Sequence, residues 1–198
     1  MSGGMSYLVA ENPITDLETA EAEVAELEDY IISDELYRTV IVRGSTGDEK
    51  IRMTGGDLLA RLHRLQGERE ILTPEQQERL DAAQRKADAT IYSYKTRFHQ
   101  RLYREIKARL DSLKWFLTEC SDDPRRCRTE FPFEMRNRQR IEEILKQVGD
   151  NLPQDLAEAL RGVDRRIRMI AQGSEFIWDP RVKHIYPPDR YWFLYMRP

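Results

Sequence analysis

The segment TPEQQERLDAAQRKADATIYSYKTRFHQRLYREIKARLDSLKWFLTE, residues 73–119, contains neither glycine nor proline after Pro74. It opens with a strong helix-start signal, because Thr73 can cap a helix, Pro74 suits the first helical position and Gln76 completes a capping box. Its apolar residues recur at steps of three and four, the spacing of one helix face. The segment therefore predicts one continuous helix of about 45 residues, ~68 Å long at 1.5 Å per residue.

Shorter helices are predicted on both sides of this long helix. Before it, apolar residues at heptad spacing predict a helix that runs to about Ile32 and is capped by Asn12 or Thr15. Between the hairpin and the long helix, Leu58–Leu65 is predicted to form a short helix with Asp57 as its N-cap. The remaining predicted helices are Phe133–Val148, which follows an arginine-rich loop, and Pro153–Gln172, which Gly173 is expected to end.

One β-hairpin and an aromatic tail complete the predicted fold. Leu36–Arg43 is rich in β-branched residues, Lys50–Thr54 can form its return strand, and the glycines between them supply a turn. We therefore expect a mainly α protein: a helical bundle around the long helix, one short β-hairpin near residues 36–54, and an extended aromatic C-terminal tail. The expected domains are residues 1–68, 69–173 and 174–198.

Charge is distributed very unevenly along the chain. Residues 1–36 hold ten acidic side chains and no lysine or arginine, whereas the rest of the chain has a net charge of +7. Such a split allows one part of the chain to dock on another, or offers two oppositely charged faces to partners. The bases are mostly arginine, which pairs well with phosphates and carboxylates.

The composition excludes several functional classes. No run approaches the ~18 apolar residues of a membrane span, and no targeting signal is visible, so we expect a cytoplasmic protein that has no membrane partner. Cys120 and Cys127 are expected to be reduced thiols in that compartment. The histidines lack a helical Glu-x-x-His pattern, and no nucleotide-binding or hydrolase motif occurs. We therefore assign no catalytic residue, metal ligand or cofactor, and leave any small-molecule ligand unknown.

Two arginine clusters are candidate sites for nucleic-acid or anion binding. The first lies on one side of the long helix, where arginines at helical spacing can follow a phosphate backbone. The second lies around the arginine-rich loop, and no known nucleic-acid-binding motif accompanies it. For both clusters a solvated face or an internal docking surface is the alternative. The candidate residues are Arg97, Arg101, Arg104, Arg125, Arg126, Arg128, Arg136, Arg138 and Arg140.

The aromatic tail is a candidate interface. Aromatic rings interleaved with cations are typical of interface hot spots and of base-stacking surfaces. The alternative is a clasp packed over the helices, since so many rings left in water would favour aggregation. The candidate interface residues are Trp178, Tyr186, Tyr191, Trp192, Phe193 and Tyr195.

Two functional hypotheses follow from these patterns. The first is a non-enzymatic assembly or interaction protein, a homodimer whose acidic N-terminal helix docks on a basic helical surface in cis or from the partner copy. The second is a nucleic-acid-binding accessory protein that uses the arginine-rich face and is autoinhibited by the acidic segment. An enzyme is the less favoured class, because no residue can be named for it.

Overall fold

A computed structural model describes residues 12–198, and this part of the chain is mainly helical. It forms two compact units, of which the first ends at Glu105 and the second begins at Ile106. The helices are α1 (Pro13–Ala25), α2 (Leu27–Ile32), α3 (Gly55–Gly67), α4 (Pro74–Ser93), α5 (Lys95–Glu119), α6 (Pro124–Val148) and α7 (Gln154–Ile170). The strands are β1 (Arg38–Gly44), β2 (Gly47–Met53), β3 (Gln172–Gly173) and β4 (Met196–Arg197). Among the described residues, no helix combines the length and the apolar character that crossing a membrane requires.

The first unit is built around α1. Asn12, one of the two predicted caps, caps this helix with its side-chain oxygen accepting from the Ile14 amide 2.9 Å away. Leu17, Ala20 and Val24 recur at steps of three and four and are buried, so they form one face against the β-hairpin, α3 and α4. The helix does not continue to Ile32, because the backbone turns at Glu26 and the short α2 follows.

The predicted β-hairpin is confirmed. Strands β1 and β2 pair antiparallel, from Arg38 opposite Met53 to Gly44 opposite Gly47. The turn at Gly47 has φ 122°, which glycine adopts without a Cβ clash. The Ser45 amide donates to the carboxylate of Glu18 on α1, 3.3 Å from either oxygen. One acidic side chain of α1 therefore holds the hairpin turn in place.

The predicted single long helix is wrong, because the segment forms two helices that meet at Tyr94. Helix α4 has 20 residues and α5 has 25. The Tyr94 backbone, at φ −119° and ψ 27°, leaves the helical range, and its hydroxyl donates to Glu28 Oε1 of α2 at 2.6 Å. The capping box at the start of α4 is confirmed, since Thr73 and Gln76 each bind the other's backbone amide.

Helix α3 begins earlier than predicted, with Thr54 rather than Asp57 as its cap. The Thr54 hydroxyl accepts from the Asp57 amide at 3.1 Å and donates to Glu105 Oε1 at 2.6 Å. The other oxygen of this buried carboxylate accepts from the Gly56 amide at 2.8 Å. A side chain of α5 thus satisfies donors at the start of α3, where a helix has no partners of its own for its first amides.

In the second unit, α6 begins at Pro124 and not at Phe133, so the predicted arginine-rich loop is the first part of a helix. Asp123 caps α6 by accepting from the Arg126 amide at 3.0 Å, and Pro124 occupies the first turn. Pro132 lies inside the helix, where its missing N–H removes one intrahelical hydrogen bond. Its carbonyl accepts from Trp178 Nε1 at 2.7 Å.

The end of α7 also differs from the prediction. The helix stops at Ile170 because Ala171 is extended, at φ −124° and ψ 153°, and Gly173 does not cap it. Gln172 and Gly173 instead pair with Arg197 and Met196 as a two-residue antiparallel ladder. The predicted extended tail contains short 3-10 turns at Pro180–Ile185 and Trp192–Tyr195, so it is more folded than expected.

The prediction of reduced cysteines is wrong for this structure. Cys120 follows α5 and Cys127 lies on the first turns of α6, and a disulfide joins them. Because α6 starts at Pro124, the short turn between the helices brings the two Cα atoms to 4.8 Å, a separation that a disulfide spans.

Candidate interaction sites

Acidic side chains of α1 are paired with arginines of the first unit. Asp16 is fully buried and accepts from Arg64 Nε at 2.6 Å, from Arg64 Nη2 at 2.7 Å and from Arg61. Glu23, two helical turns further along α1, accepts from Arg61 Nε at 2.7 Å. Glu21 pairs with Arg79 of α4. These three arginines were not singled out from the sequence, and Glu11 of the acidic segment lies outside the described residues.

The carboxyl group of Glu23 has a raised pKa. Its side chain is buried, and its Oε2 has no hydrogen-bond partner among the described residues. Burial raises the pKa of Glu23 from 4.5 to about 7, aided by the nearby carboxylates of Asp57 and Asp16 and opposed by Arg61. Desolvation outweighs the ion pair with Arg61 because the Glu23 side chain is fully buried, and burial disfavours its charged form.

The first prediction concerns the pH dependence of stability at Glu23. Between pH 4.5 and about 7, the folded protein binds a proton at Glu23 that the unfolded chain has released. This group's contribution to the unfolding free energy therefore falls as pH rises through that window. Glutamine does not titrate, so the variant Glu23→Gln lacks this pH dependence. Between pH 5 and pH 8 we expect its unfolding free energy to fall by up to about 3 kcal/mol less than that of the unmodified protein. Urea unfolding of both proteins at the two pH values measures it, and an equal change in both would contradict it.

Three of the predicted arginines line one groove of the first unit. The groove has a volume of about 330 Å³ and is formed by α5 and the end of α2. Arg101 is buried and donates to the carbonyl oxygens of Glu35 at 3.1 Å and Ile31 at 3.3 Å. Arg104 donates to Asp34 Oδ1 at 3.1 Å, and Arg97 is exposed. The acidic segment thus ends on this arginine groove, whose residues are Ile31, Ile32, Asp34, Arg97, Gln100, Arg101 and Arg104.

The second arginine cluster does not form a continuous basic surface. Arg138 is 4% exposed, donates to both oxygens of Asp164 at 2.8 and 3.1 Å, and donates to Glu142 at 2.9 Å. Its guanidinium also lies 4.8 Å from the centre of the Phe193 ring. Arg140 is 8% exposed and donates to Gln139. In the structure these two arginines are therefore buried in the second unit, and their predicted anion binding stays a prediction.

The other members of this cluster lie nearer the surface. Arg126 pairs with Glu130 at 2.8 Å, one helical turn ahead. Arg136 lies over the Phe133 ring, 5.4 Å from its centre. Arg125 and Arg128 are exposed.

The aromatic tail is packed within the second unit. Tyr186, Tyr191 and Phe193 are at most 2% exposed, whereas Trp178, Trp192 and Tyr195 are partly exposed. The Tyr191 hydroxyl donates to Glu143 Oε1 at 2.6 Å and accepts from Lys146 at 2.8 Å, which ties the tail to α6. Burial and the Glu143 carboxylate raise the pKa of Tyr191, so it stays a neutral donor. The tail thus contacts α6 of its own unit in the structure, and its role as an interface stays a prediction.

A different aromatic residue is left exposed in the second unit. Trp115 of α5 is 70% exposed and lies in a groove of about 450 Å³ between α5 and α6. We call this the Trp115 groove. Its walls carry four carboxylates and one arginine, and burial raises the pKa of the Glu134 carboxylate. The lining residues are Asp111, Ser112, Trp115, Phe116, Glu119, Arg126, Glu130 and Glu134.

The sequence positions of its lining residues do not by themselves reveal the Trp115 groove. Trp115 is adjacent in sequence to buried Phe116, and only the packing of α6 decides which of the two rings faces solvent. Glu130 and Glu134 stand four residues apart, so they share one face of α6. That spacing is a signal in the sequence, but a helix that begins at Phe133, as predicted, leaves Glu130 in a loop and separates the two carboxylates.

No protein-family model matches this chain, and neither a curated protein nor a solved structure matches it.

Proposed function

We propose that this protein is a non-enzymatic assembly or interaction protein that functions as a homodimer. The observation that carries the proposal is the exposed Trp115 side chain in its groove. Tryptophan is the residue most enriched at the energetic centres of protein interfaces. A ring that is 70% exposed in a monomer, with carboxylates around it, fits a surface that becomes buried on association.

The acidic N-terminal helix has a structural role in this proposal. Its carboxylates bind arginines of the same unit, with Asp16 on Arg61 and Arg64 and Glu21 on Arg79. Because these carboxylates are paired within their own unit, they are not open to bind a partner molecule. The contact surface of the proposed homodimer is therefore sought in the second unit.

The homodimer predicts a particle mass of twice the 23.4 kDa chain. Light scattering behind size exclusion, at several loading concentrations and in low salt, measures this mass. We expect the dimer mass at high concentration and a fall towards the chain mass on dilution. A chain mass at every concentration would contradict the proposal.

A second candidate function is nucleic-acid binding, and the arginine groove favours it. Arg97, Arg101 and Arg104 are brought together there, and the carboxylate of Asp34 lies on Arg104, where a phosphate would also bind. In this candidate function, Asp34 is the autoinhibitory group. Nucleic-acid binding is the second candidate because Arg101 already donates to backbone carbonyls and because Arg138 and Arg140 are buried.

This candidate predicts that Asp34→Asn strengthens binding of a labelled single-stranded oligonucleotide by about 2- to 5-fold at low salt, because one negative charge leaves the groove. Asp29→Asn, an exposed acid of α2 outside the groove, is the control and should change nothing. Arg97→Ala with Arg104→Ala should weaken binding and lower the salt slope by about two. Fluorescence anisotropy measures all three, and no binding by either the unmodified protein or Asp34→Asn would exclude this function.

A further inference from the structure

Two surfaces of the second unit are complementary in charge. The Trp115 groove carries Asp111, Glu119, Glu130 and Glu134 against the single base Arg126. Arg126 is already engaged by two of these acids, with Glu130 at 2.8 Å and Glu119 at 3.7 Å. The groove therefore presents an excess of negative charge around an exposed aromatic ring, which suits a cation that can lie over the ring and reach a carboxylate.

The complementary surface is the outer face of α7. Arg161, Arg165 and Arg168 stand at positions i, i+4 and i+7, so they form one stripe, and all three are exposed. Neither Arg161 nor Arg165 forms an ion pair with another residue of the described range 12–198. Arg168 lies over the Trp192 ring, 3.7 Å from its centre, and Met169 beside it is 83% exposed. We call Arg161, Arg165 and Arg168 the α7 stripe.

We propose that the Trp115 groove binds the α7 stripe of a second copy of this chain. Charge complementarity selects this occupant, because the stripe supplies guanidinium groups at helical spacing and the groove supplies an aromatic face with carboxylates. Each copy carries both surfaces, so a pair related by a twofold axis forms the contact twice. The inference rests on the proposed homodimer and specifies which surfaces hold it together.

The test compares two variants that remove one surface each. Trp115→Ala removes the ring from the groove, and Arg161→Glu with Arg165→Glu reverses the charge of the stripe. Both sites are exposed, so the fold should persist, and circular dichroism checks that it does. Each variant should weaken dimerisation by about 30-fold or more, as loss of an interface hot spot does. Sedimentation velocity with a fluorescent label measures the dissociation constant.

Matched controls lie in the first unit, on α4. Tyr92→Ala removes a ring that is 84% exposed, and Arg85→Glu with Lys86→Glu makes the same charge change as the stripe variant. We expect both controls to dimerise as the unmodified protein does. Higher salt should weaken the unmodified dimer, since the contact is largely between charges.

Mixing the two defective variants separates a docking role from a folding defect. A groove variant keeps its stripe and a stripe variant keeps its groove, so a mixed pair retains one of the two contacts. The mixture should therefore associate more tightly than either variant alone. A dimer that neither variant weakens, or a mixture no tighter than its components, would overturn this inference and leave the homodimer standing. A monomer at every concentration would instead refute the proposed function.

Discussion

Replacing Arg138 with leucine is expected to lower the free energy of unfolding by about 3 kcal/mol. The guanidinium of Arg138 is buried between Asp164 and Glu142, with nitrogen–oxygen distances of 2.8 to 3.1 Å. Removing it leaves the Asp164 carboxylate in a largely desolvated place without its cation. The loss falls at the lower end of the range for broken buried pairs, because Glu142 keeps a contact with Arg190 Nε at 2.9 Å.

Tryptophan fluorescence is a suitable readout for this change. All three tryptophans, at positions 115, 178 and 192, belong to the second unit, so their emission during urea unfolding reports on the unit that contains Arg138. Arg128→Leu is the matched control, because it makes the same substitution at an exposed position of α6. It should change the unfolding free energy by no more than about 0.5 kcal/mol. Equal stabilities of the two variants would show that the buried pair does not matter.

Replacing Asp16 with alanine is expected to have a similar effect in the first unit, also about 3 kcal/mol. Asp16 is fully buried and accepts hydrogen bonds from Arg61 and Arg64. Arg61 keeps Glu23 at 2.7 Å after the substitution, whereas Arg64 loses both of its bonds to Asp16. The guanidinium of Arg64 then lies in the packing surface between α1 and α3 without the carboxylate of Asp16.

Hydrogen exchange of peptides from α1 and α3 locates this effect, because the loss of the ion pairs should speed exchange in these two helices first. Circular dichroism during urea unfolding gives the free energy. Asp29→Ala removes an acid whose side chain is 70% exposed and whose contact with Arg38 is 3.5 Å long, and it should cost less than about 0.5 kcal/mol. If Asp16→Ala were as mild as this control, the docking of α1 would not depend on its buried acid.

Features whose signals are local could be predicted from the sequence. The capping box at Thr73 and Gln76 and the β-hairpin each depend on residues within a few positions of one another, and both were confirmed. The same cap-and-proline signature also stands at Asp123 and Pro124, where it starts α6. The prediction of an arginine-rich loop before Phe133 passes over this signature, so it places the start of α6 too late and assigns its first arginines to a loop.

Features that depend on distant partners could not be predicted in the same way. The break at Tyr94 coincides with a hydrogen bond to Glu28, which is 66 residues away. Arg138 is buried because α7 brings Asp164 to it, and nothing near position 138 distinguishes it from the exposed Arg128. Sequence spacing places an arginine on a helix face, but only the neighbouring helix decides whether that face is solvated.

The carboxylate of Glu105 has a consequence for the order in which the chain folds during synthesis. It binds the Thr54 hydroxyl and the Gly56 amide, about 50 residues earlier in the chain. While a ribosome is still making the intervening residues, these two groups must remain with water. The beginning of α3 therefore reaches its final arrangement only after residue 105 has emerged, so the first unit cannot be completed before that point of synthesis.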